Sequence, residues 1–412
     1  MSSILIVGAG QAGLQLALGL LQDGHDVTVV SNRTPDDIRT GRVMSSQCMF
    51  DAALQTERDL GVNDWEAECP PVEGISLAVP APDGSGGKAI DFASRLDGYA
   101  QSVDQRVKMP GWMERFERDG GRLEIHDAGV DDLERYTSEH DLVVVAAGKG
   151  EIVQLFTRDP ERSPYEQPMR ALALTYVTGM TPRPEYSAVC FNLIPTVGEY
   201  FVFPALTTTG ACEIMVFEGI PGGPMDCWGD VKTPQEHLAK SKWILETFLP
   251  WEAERCRDIQ LTDDNGILTG RFPPTVRGPV GELPSGRLVL GLADAIMLND
   301  PITGQGSNNA AKMATAYLEP IRRHGTAPYD RAFMEAAFES FWESYGQYVT
   351  TWTNALLSPP PEHVLKLLAA GNGSADLAHR FVNGFDDPVD YFDWFMFPDK
   401  AEAYLATVST EA

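Results

Sequence analysis

The chain has 412 residues, of which 43% are apolar and 22% charged, an ordinary globular composition with enough apolar material for more than one core. Its 59 acidic and 32 basic residues give a net charge of −27. So acidic a surface repels polyanions, and we expect neither a nucleic-acid partner nor binding to an anionic membrane. An anionic cofactor would need local positive charge.

Three features of the sequence bear on where the protein works and whether it binds a metal. The six cysteines have no CxxC pair and no regular spacing, which is typical of reduced thiols in a cytoplasmic protein. The seven histidines show no metal-binding spacing, so we expect no protein-bound metal. Residues 4–22 are apolar, but no Lys or Arg precedes Arg33, which argues against a signal peptide. We expect a soluble protein.

The N-terminus predicts a dinucleotide site. Residues 4–7 form an aliphatic strand that leads into the glycines Gly8, Gly10 and Gly13 of a GxGxxG motif, then a helical pattern and a second strand at residues 27–30. The first glycine permits the tight turn, the second lets backbone N–H groups approach a pyrophosphate, and the third lets the helix pack on the strand. The positive end of the helix would face the phosphates.

The end of the second strand departs from the usual fingerprint. An acidic residue is expected there for the ribose hydroxyls, but the chain has Ser31, Asn32 and Arg33. Ser31 or Asn32 could hydrogen-bond a ribose, and Arg33 could pair with a phosphate or stack on adenine. A solvated loop charge is the alternative for Arg33.

Two later segments predict the rest of a flavin site. Residues 141–150 read as a buried strand that ends in small residues, where Gly148 permits close backbone approach. Residues 288–294 read as another strand, which delivers Asp294 toward a ribityl chain. A loop that we call the Pro/Gly loop, residues 300–307, then opens a helix. The backbone amides of this loop would stabilise negative charge at the isoalloxazine edge, and Pro301 would shape that edge. The expected cofactor contacts are Pro301, Gly304, Gln305, Gly306 and Ser307.

The middle and the C-terminal part predict other elements. Residues 75–79 and 88–92 read as a hairpin, residues 170–218 as alternating strands, and residues 232–257 as a helix. From Tyr329 onward the pattern is helical, with an aromatic stripe at helical spacing that favours core packing over a binding site. After Ala370 we expect an acidic region rich in loops.

As a set, these motifs resemble the epoxidase component of two-component styrene and indole monooxygenases. The resemblance spans nearly the whole chain. It includes the glycine turn, the arginines Arg33 and Arg42, and residues 102–106, where family members carry a flavin-contacting arginine that corresponds to Arg106. Its C-terminal part includes the Pro/Gly loop and residues 351–354 and 360–362.

The resemblance implies an α/β fold: a split Rossmann-like FAD-binding domain of the aromatic-hydroxylase type, with an inserted β-sheet substrate domain and a helical C-terminus. The expected boundaries are 1–70, 97–168 and 270–325 for the FAD domain, 71–96 and 169–269 for the substrate domain, and 326–412 for the helical region. We expect the doubly negative FAD to be held in this acidic chain by Arg33, Arg42, Arg106 and two helix N-termini.

The resemblance also implies an activity. Reduced FAD (FADH2) and O2 would form a flavin C4a-hydroperoxide that epoxidises the 2,3-bond of indole, with styrene-like alkenes as further substrates and sulfoxidation of aryl sulfides as a side activity. At the positions where the styrene and indole branches differ, the chain is similar to the indole branch, and the expected pocket comprises Ser45, Gln47, Met49, Val72, Ile75 and Ala100. No discrete acid or base is expected, because epoxidation needs none.

No second GxGxxG exists for an NAD(P)H domain, so we expect NADH to act indirectly, through a separate NADH:flavin reductase. The nearest alternative is a single-component NAD(P)H-dependent aromatic hydroxylase, although such enzymes carry a DG-type motif where this chain has Asp141-Leu142. A halogenase would show a WxW segment, which the eight tryptophans do not form. A non-catalytic flavin-binding protein is a remote alternative, and the sequence leaves a homodimer open.

Overall fold

The computed structural model describes residues 1–325 and 327–408. Its strands, in chain order, are β1 (Ser3–Val7), β2 (Asp26–Ser31), β3 (Pro71–Pro80), β4 (Lys88–Gln101), β5 (Arg122–Ile125), β6 (Leu142–Val145), β7 (Ala171–Thr178), β8 (Ala188–Ile194), β9 (Gly198–Thr207), β10 (Gly210–Gly219), β11 (Gln260–Leu261), β12 (Ile267–Gly270), β13 (Thr275–Val276), β14 (Val280–Glu282), β15 (Leu288–Gly291) and β16 (Met297–Leu298).

The α-helices are α1 (Gln11–Gln22), α2 (Pro35–Arg39), α3 (Asp51–Asp59), α4 (Gln105–Arg118), α5 (Val130–Glu139), α6 (Pro234–Phe248), α7 (Pro250–Arg255), α8 (Gly306–His324), α9 (Arg331–Phe341), α10 (Gln347–Leu356), α11 (Glu362–Ala370), α12 (Ala375–Asn383), α13 (Tyr391–Trp394) and α14 (Pro398–Leu405). Short 3₁₀ turns occur at Glu151–Leu155, Ala293–Ala295, Pro301–Thr303 and Gly371–Gly373, and one π-helical turn at Trp342–Gly346. Among the described residues, no helix combines the length and the apolar character needed to cross a membrane.

The first sheet has the order β14-β15-β6-β1-β2-β5 and is parallel except for its edge strand β14. β1 lies between β2 and β6, although β6 comes more than a hundred residues later in the chain. Its strands are nearly all apolar because helices cover them, and α1 and α8 contribute to the same core. This order confirms the predicted α/β cofactor domain, which is assembled from separated stretches of sequence.

The second sheet has the order β11-β7-β10-β9-β8-β3-β4, with β12 also pairing with β7, and it is mainly antiparallel. The predicted hairpin is longer than its apolar pattern indicated, since β3 and β4 pair as far as Pro71 and Gln101. Residues 97–101 therefore lie in the second sheet, beyond the expected boundary at residue 96.

The C-terminal helices cover one face of the second sheet. Their core contains Trp352, Leu367, Phe381 and Tyr391, packed with strand residues such as Phe201. Our expectation of a loop-rich segment after Ala370 is wrong. Aromatic and aliphatic residues at helical spacing bury one face of α12–α14, and the acidic residues between them had masked this pattern.

Candidate functional site

The glycine turn between β1 and α1 is shaped by close backbone contacts. Gly8 has φ +119°, and a Cβ there would lie 2.9 Å from the backbone of Ala146 and Ala147. A Cβ on Gly13 would lie 2.0 Å from the Gly8 carbonyl oxygen, so this helix meets the strand only with glycine at that position. A Cβ on Gly10, by contrast, would meet nothing within 4 Å.

The N-terminus of α1 therefore faces open space. Gly10 provides no side-chain cap, and the first turn of α1 contains no acidic residue. Its backbone N–H groups and the positive end of the helix dipole remain available to an anion. The space in front of Gly10 is what a pyrophosphate would need.

Asp294 lies beside the segment that packs on this turn, and we call the space in front of its exposed side chain the crevice. A Cβ on Gly148 would lie only 2.7 Å from the Cβ of Asp294, so the end of the 141–150 segment packs directly against it. The Asp294 side chain is exposed to water, yet surrounding protein raises its pKa to about 6 through desolvation, opposed by Lys149 and Arg277. A group that is both accessible and surrounded by protein is placed to bind a ligand that fills the crevice. The preceding Ala293 has φ +50°, an uncommon conformation for a non-glycine residue.

The Pro/Gly loop has the form of a second anion-facing turn. Asp300 caps the 3₁₀ turn at Pro301–Thr303 by accepting a hydrogen bond from Ile302 N (3.2 Å), and Gly304 adopts the left-handed conformation (φ +66°) before α8 begins. No side chain caps α8, and a Cβ on Gly304 or Gly306 would meet nothing within 4 Å.

Several buried polar atoms around the Pro/Gly loop have no hydrogen-bond partner: Asn299 Nδ2, Ser307 Oγ, and both amide atoms of Asn309. Buried polar groups in folded proteins are almost always hydrogen-bonded, so these atoms are available to a polar group that binds at the loop. The loop therefore fits a group with a polar edge, such as the isoalloxazine of FAD.

C-terminal residues hold the Pro/Gly loop in place. Gln305 Nε2 donates to the Phe385 carbonyl (2.8 Å), and its Oε1 accepts from Tyr345 OH (3.1 Å). Lys312 Nζ donates to Tyr345 OH (3.2 Å) and to the Asp386 carbonyl (3.0 Å). Tyr345 lies in the π-helical turn, a distortion that is frequent at functional sites. Tyr345 belongs to the aromatic stripe after Tyr329, which was predicted to pack in the core, and its contact with the loop was missed.

The end of β2 offers weaker contacts. Ser31 Oγ donates to the Arg33 carbonyl (2.8 Å) and accepts from Arg33 N (3.2 Å), so it closes a local turn. The Arg33 guanidinium contacts Met44 Sδ at 2.7 Å, whereas Asn32 and Arg42 are exposed. Their predicted roles toward the cofactor stay predictions.

Arg106 is placed differently from the expectation. Its guanidinium is buried and paired with Asp104 (2.9 Å) and Asp263 (3.0 Å), and it also donates to Thr207 Oγ1 (3.1 Å). Two carboxylates neutralise this cation, so it is not free to add to a positive field for a phosphate. It instead joins the start of α4 to the loop at Asp263 in the second sheet domain.

The predicted pocket residues fall into two connected groups. Met49 exchanges backbone hydrogen bonds with Gln101 (2.8 and 2.9 Å), next to the paired residues Val72 and Ala100. Ile75 belongs to the same apolar core as Val72 and Ala100, and all four apolar side chains are buried. The Met49 side chain packs in a small separate cluster with residues of α3 and α8.

The polar members of the pocket follow Arg42 in the chain. Ser45 Oγ accepts from Gln105 Nε2 (2.9 Å) and donates to Gln47 Oε1 (3.4 Å), and the Ser45 carbonyl accepts from Tyr176 OH (2.8 Å). Gln47 Nε2 is buried without a partner. The pocket thus presents an unused amide donor and a weakly engaged amide oxygen.

Asn308, which the sequence reasoning did not single out, joins the pocket to the Pro/Gly loop. Its Nδ2 donates to the carbonyls of Cys48 (2.9 Å) and Gly304 (3.0 Å), and its Oδ1 accepts from Phe50 N (2.8 Å). Its place directly after the loop, in the first turn of α8, was the available signal. These bonds fix the distance between residues 48–50 and the Pro/Gly loop.

The parallel sheet, the two uncapped helix ends and the crevice at Asp294 define an FAD-binding protein of the aromatic-hydroxylase type. Comparison with known proteins agrees. Residues 3–69 match the family model described as "FAD binding domain", and residues 148–255 match "Styrene monooxygenase A putative substrate binding domain". The styrene monooxygenase StyA of Pseudomonas fluorescens is 31% identical over 405 residues, covering 96% of this chain and 95% of that protein.

The chain therefore belongs to the styrene monooxygenase family and is a flavin-dependent monooxygenase that uses FAD and O2. Solved structures show the same fold at lower identity. A flavoprotein/dehydrogenase from Cytophaga hutchinsonii aligns with a TM-score of 0.63 at 14% identity, over 94% of this chain and 93% of that one. PqsL of Pseudomonas aeruginosa, in complex with 2-aminobenzoylacetate, aligns with a TM-score of 0.60 at 18% identity, over 94% and 99%.

Proposed function

We propose that the chain is the oxygenase of a two-component system that epoxidises the 2,3-bond of indole. FAD arrives reduced, as FADH2, from a separate NADH:flavin reductase. Styrene-like alkenes are further substrates, and aryl sulfides are sulfoxidised as a side activity. The observation that carries the proposal is the tie through Asn308, which sets an apolar pocket with one amide contact beside the Pro/Gly loop. The Pseudomonas relative supports it, because its name is styrene monooxygenase.

The residues around the crevice bind and orient FAD, which when bound and reduced supplies the activation of O2. The N–H groups at Gly10 and the start of α1 hold the pyrophosphate. Asp294 accepts hydrogen bonds from the ribityl chain and does so best as a carboxylate. The amides from Gly304 to Ser307 would donate to the polar edge of the isoalloxazine, Pro301 would shape that edge, and Gly148 would leave room for the ribityl chain.

The pocket residues position the substrate and exclude water. Met49, Val72, Ile75 and Ala100 provide an apolar wall for the six-membered ring of indole. An indole N–H is a donor and needs an acceptor, and Gln47 Oε1 is the pocket oxygen that is weakly engaged. None of these groups is a general base. This suits an epoxidation, in which the π-bond is the nucleophile and no proton leaves the substrate during oxygen transfer.

We place the protein in the cytoplasm, where the six free cysteines stay reduced. The reductase delivers flavin by diffusion or in a transient contact, since the sequence holds a single GxGxxG motif. A homodimer is compatible with this scheme but is not required by it.

The test combines the purified chain, FAD, NADH, O2 and indole, with and without an unrelated NADH:flavin reductase, and with catalase to remove peroxide. We expect indoxyl and then blue indigo only when both proteins are present. Turnover with NADH in the absence of the reductase would overturn the two-component assignment in favour of a single-component hydroxylase. Rapid mixing of the FAD-loaded chain with NADH gives the same distinction directly, because the two-component assignment expects no flavin bleaching.

A further inference from the structure

Three buried carboxyl groups lie between the second sheet and the Pro/Gly loop, with one arginine among them. Glu199 on β9 and Glu218 on β10 are directly paired across the two strands, and Asp300 begins the loop. Arg170 lies immediately before β7. Glu218 and Asp300 are 0% and 2% exposed. Neither the proposed chemistry nor the expected cofactor contacts use this group of residues.

The arginine is already engaged by one of the three carboxylates. Arg170 Nε and Nη2 donate to the two oxygens of Glu199 at 2.6 and 2.9 Å, and Nη1 donates to the Met169 carbonyl at 2.9 Å. Neither oxygen of Glu218 has a donor within hydrogen-bonding distance. The carboxyl group of Asp300 lies within hydrogen-bonding reach of Glu218.

Two carboxyl groups in contact, without a cation of their own, cannot both be ionised. A single proton between them replaces the repulsion by an O–H···O⁻ hydrogen bond, which is among the stronger hydrogen bonds in proteins. The other charged groups that face the pair are Arg170 and Glu199, and their charges cancel each other.

We propose that Glu218 is a positioning residue: it keeps a proton at neutral pH and donates it in a hydrogen bond to Asp300, and this bond fixes the Pro/Gly loop against the second sheet. Asp300 can then accept from both Glu218 and Ile302 N, so the bond orients the first turn of the loop. The effect on FAD binding rests on the proposed function, in which this loop holds the isoalloxazine. The proton shared by Glu218 and Asp300 is independent of that function.

The electrostatics of the pair support this arrangement. Burial first, and then Asp300 and Glu199, raise the pKa of Glu218 well above its usual value, while burial raises the pKa of Asp300 to about 6. Glu218 therefore keeps its proton where a solvated glutamate has lost it. In the unfolded chain Glu218 ionises near its ordinary pKa. As pH rises above that value, this group therefore increases the unfolding equilibrium constant about tenfold per pH unit. The increase stops once Glu218 also ionises in the folded state.

The first test is infrared spectroscopy of the chain without FAD at pH 7. We expect Glu218→Gln to remove intensity from the C=O stretch of protonated carboxylic acids. Glu246→Gln, which removes a charge from an exposed site on α6, leaves it unchanged. Equal spectra for wild type and Glu218→Gln would overturn the shared proton, whatever the activity of the enzyme. ¹³C-labelling of glutamate in the wild-type chain gives an independent check, because the assignment requires part of that band to shift.

The second test separates a hydrogen-bond donor from a simple space filler. The amide of Glu218→Gln can still donate to Asp300, whereas Glu218→Leu has a similar volume and no donor. We expect Glu218→Gln to keep the slow hydrogen exchange of the amides at residues 302–307 and to bind FAD within about threefold of wild type. We expect Glu218→Leu to lose that protection and at least tenfold in FAD affinity. Equal behaviour of the two variants would overturn the hydrogen bond and show that Glu218 only fills space. Loss of protection at residues 302–307 with FAD affinity near that of wild type would overturn the assignment of the loop to the flavin.

Discussion

Replacing Gly10 by alanine should impair FAD binding without impairing the fold. The backbone at Gly10 (φ −91°, ψ −174°) is open to any residue, and the added Cβ would touch nothing within 4 Å. Alanine is a poorer N-cap than glycine by about 0.5–1 kcal/mol, and the stiffer unfolded chain offsets about 0.4–1 kcal/mol of that. We therefore expect the free energy of unfolding to change by less than about 0.5 kcal/mol.

The effect on FAD follows from the space that the new methyl group takes. It occupies the approach of the pyrophosphate to the N–H groups of α1, and losing one hydrogen bond to a charged group costs about 1.5–3 kcal/mol. This corresponds to a weakening of FAD binding of about 10- to 150-fold. Titration calorimetry with FAD gives the affinity, and urea unfolding of the protein without FAD gives the stability.

Two control variants separate an effect on FAD binding from an effect on stability. Gly129 is the N-cap of α5 with a similar backbone and an equally open Cβ, so Gly129→Ala should leave both quantities near wild type. Gly13→Ala must place its Cβ 2.0 Å from the Gly8 carbonyl, so it should destabilise the fold itself by about 1–3 kcal/mol or more. FAD binding by Gly10→Ala as tight as that of wild type would show that no pyrophosphate lies at Gly10, and a loss of stability as large as that of Gly13→Ala would show that the position is not open.

Three further predictions concern charges and the pocket. Lys108→Met should lower the free energy of unfolding in urea by about 3–5 kcal/mol, because it leaves the buried carboxylate of Glu57 without the ammonium group now 2.6 Å away. The double variant with Glu57→Gln should recover most of this loss, and additive losses would contradict the pairing. FAD affinity should rise as pH increases through about 6, where the Asp294 carboxylate forms, and Asp294→Asn should flatten this dependence in a pH series of titrations. Gln47→Leu should lower kcat/KM for indole by about three- to tenfold, because one hydrogen bond is lost. The value of kcat/KM for styrene, which has no N–H group, should stay constant. Equal losses with both substrates would show that Gln47 does not bind the indole N–H.

The local parts of the fold were predictable from the sequence. The glycine turn, the buried strand β6 and the Pro/Gly loop each carry their pattern within about ten residues. Periodicity also identified the strands from β7 to β10, because alternation and chain turns are local properties. The helices after Ala370 were missed because their acidic residues dominated the composition, although their buried faces are regular.

The long-range partners were not predictable. Arg106 pairs with the neighbouring Asp104 and also with Asp263, which lies 157 residues further along the chain, and no local pattern shows this second carboxylate. Glu218 meets Asp300 only because two sheets and a loop bring them together. Asn308 was in view beside the loop, but its three backbone partners include Cys48, 260 residues earlier.

The link between Gln305 and the Phe385 carbonyl also sets an order of events during synthesis. The acceptor is made 80 residues after the donor, which at about 5–20 residues per second is a delay of roughly 4–16 s. During that interval the glycine turn of β1 and α1 and the Pro/Gly loop have already been synthesised, but the loop has no brace at Gln305. In a nascent chain the Pro/Gly loop therefore gains its brace at Gln305 only after Phe385 has been synthesised.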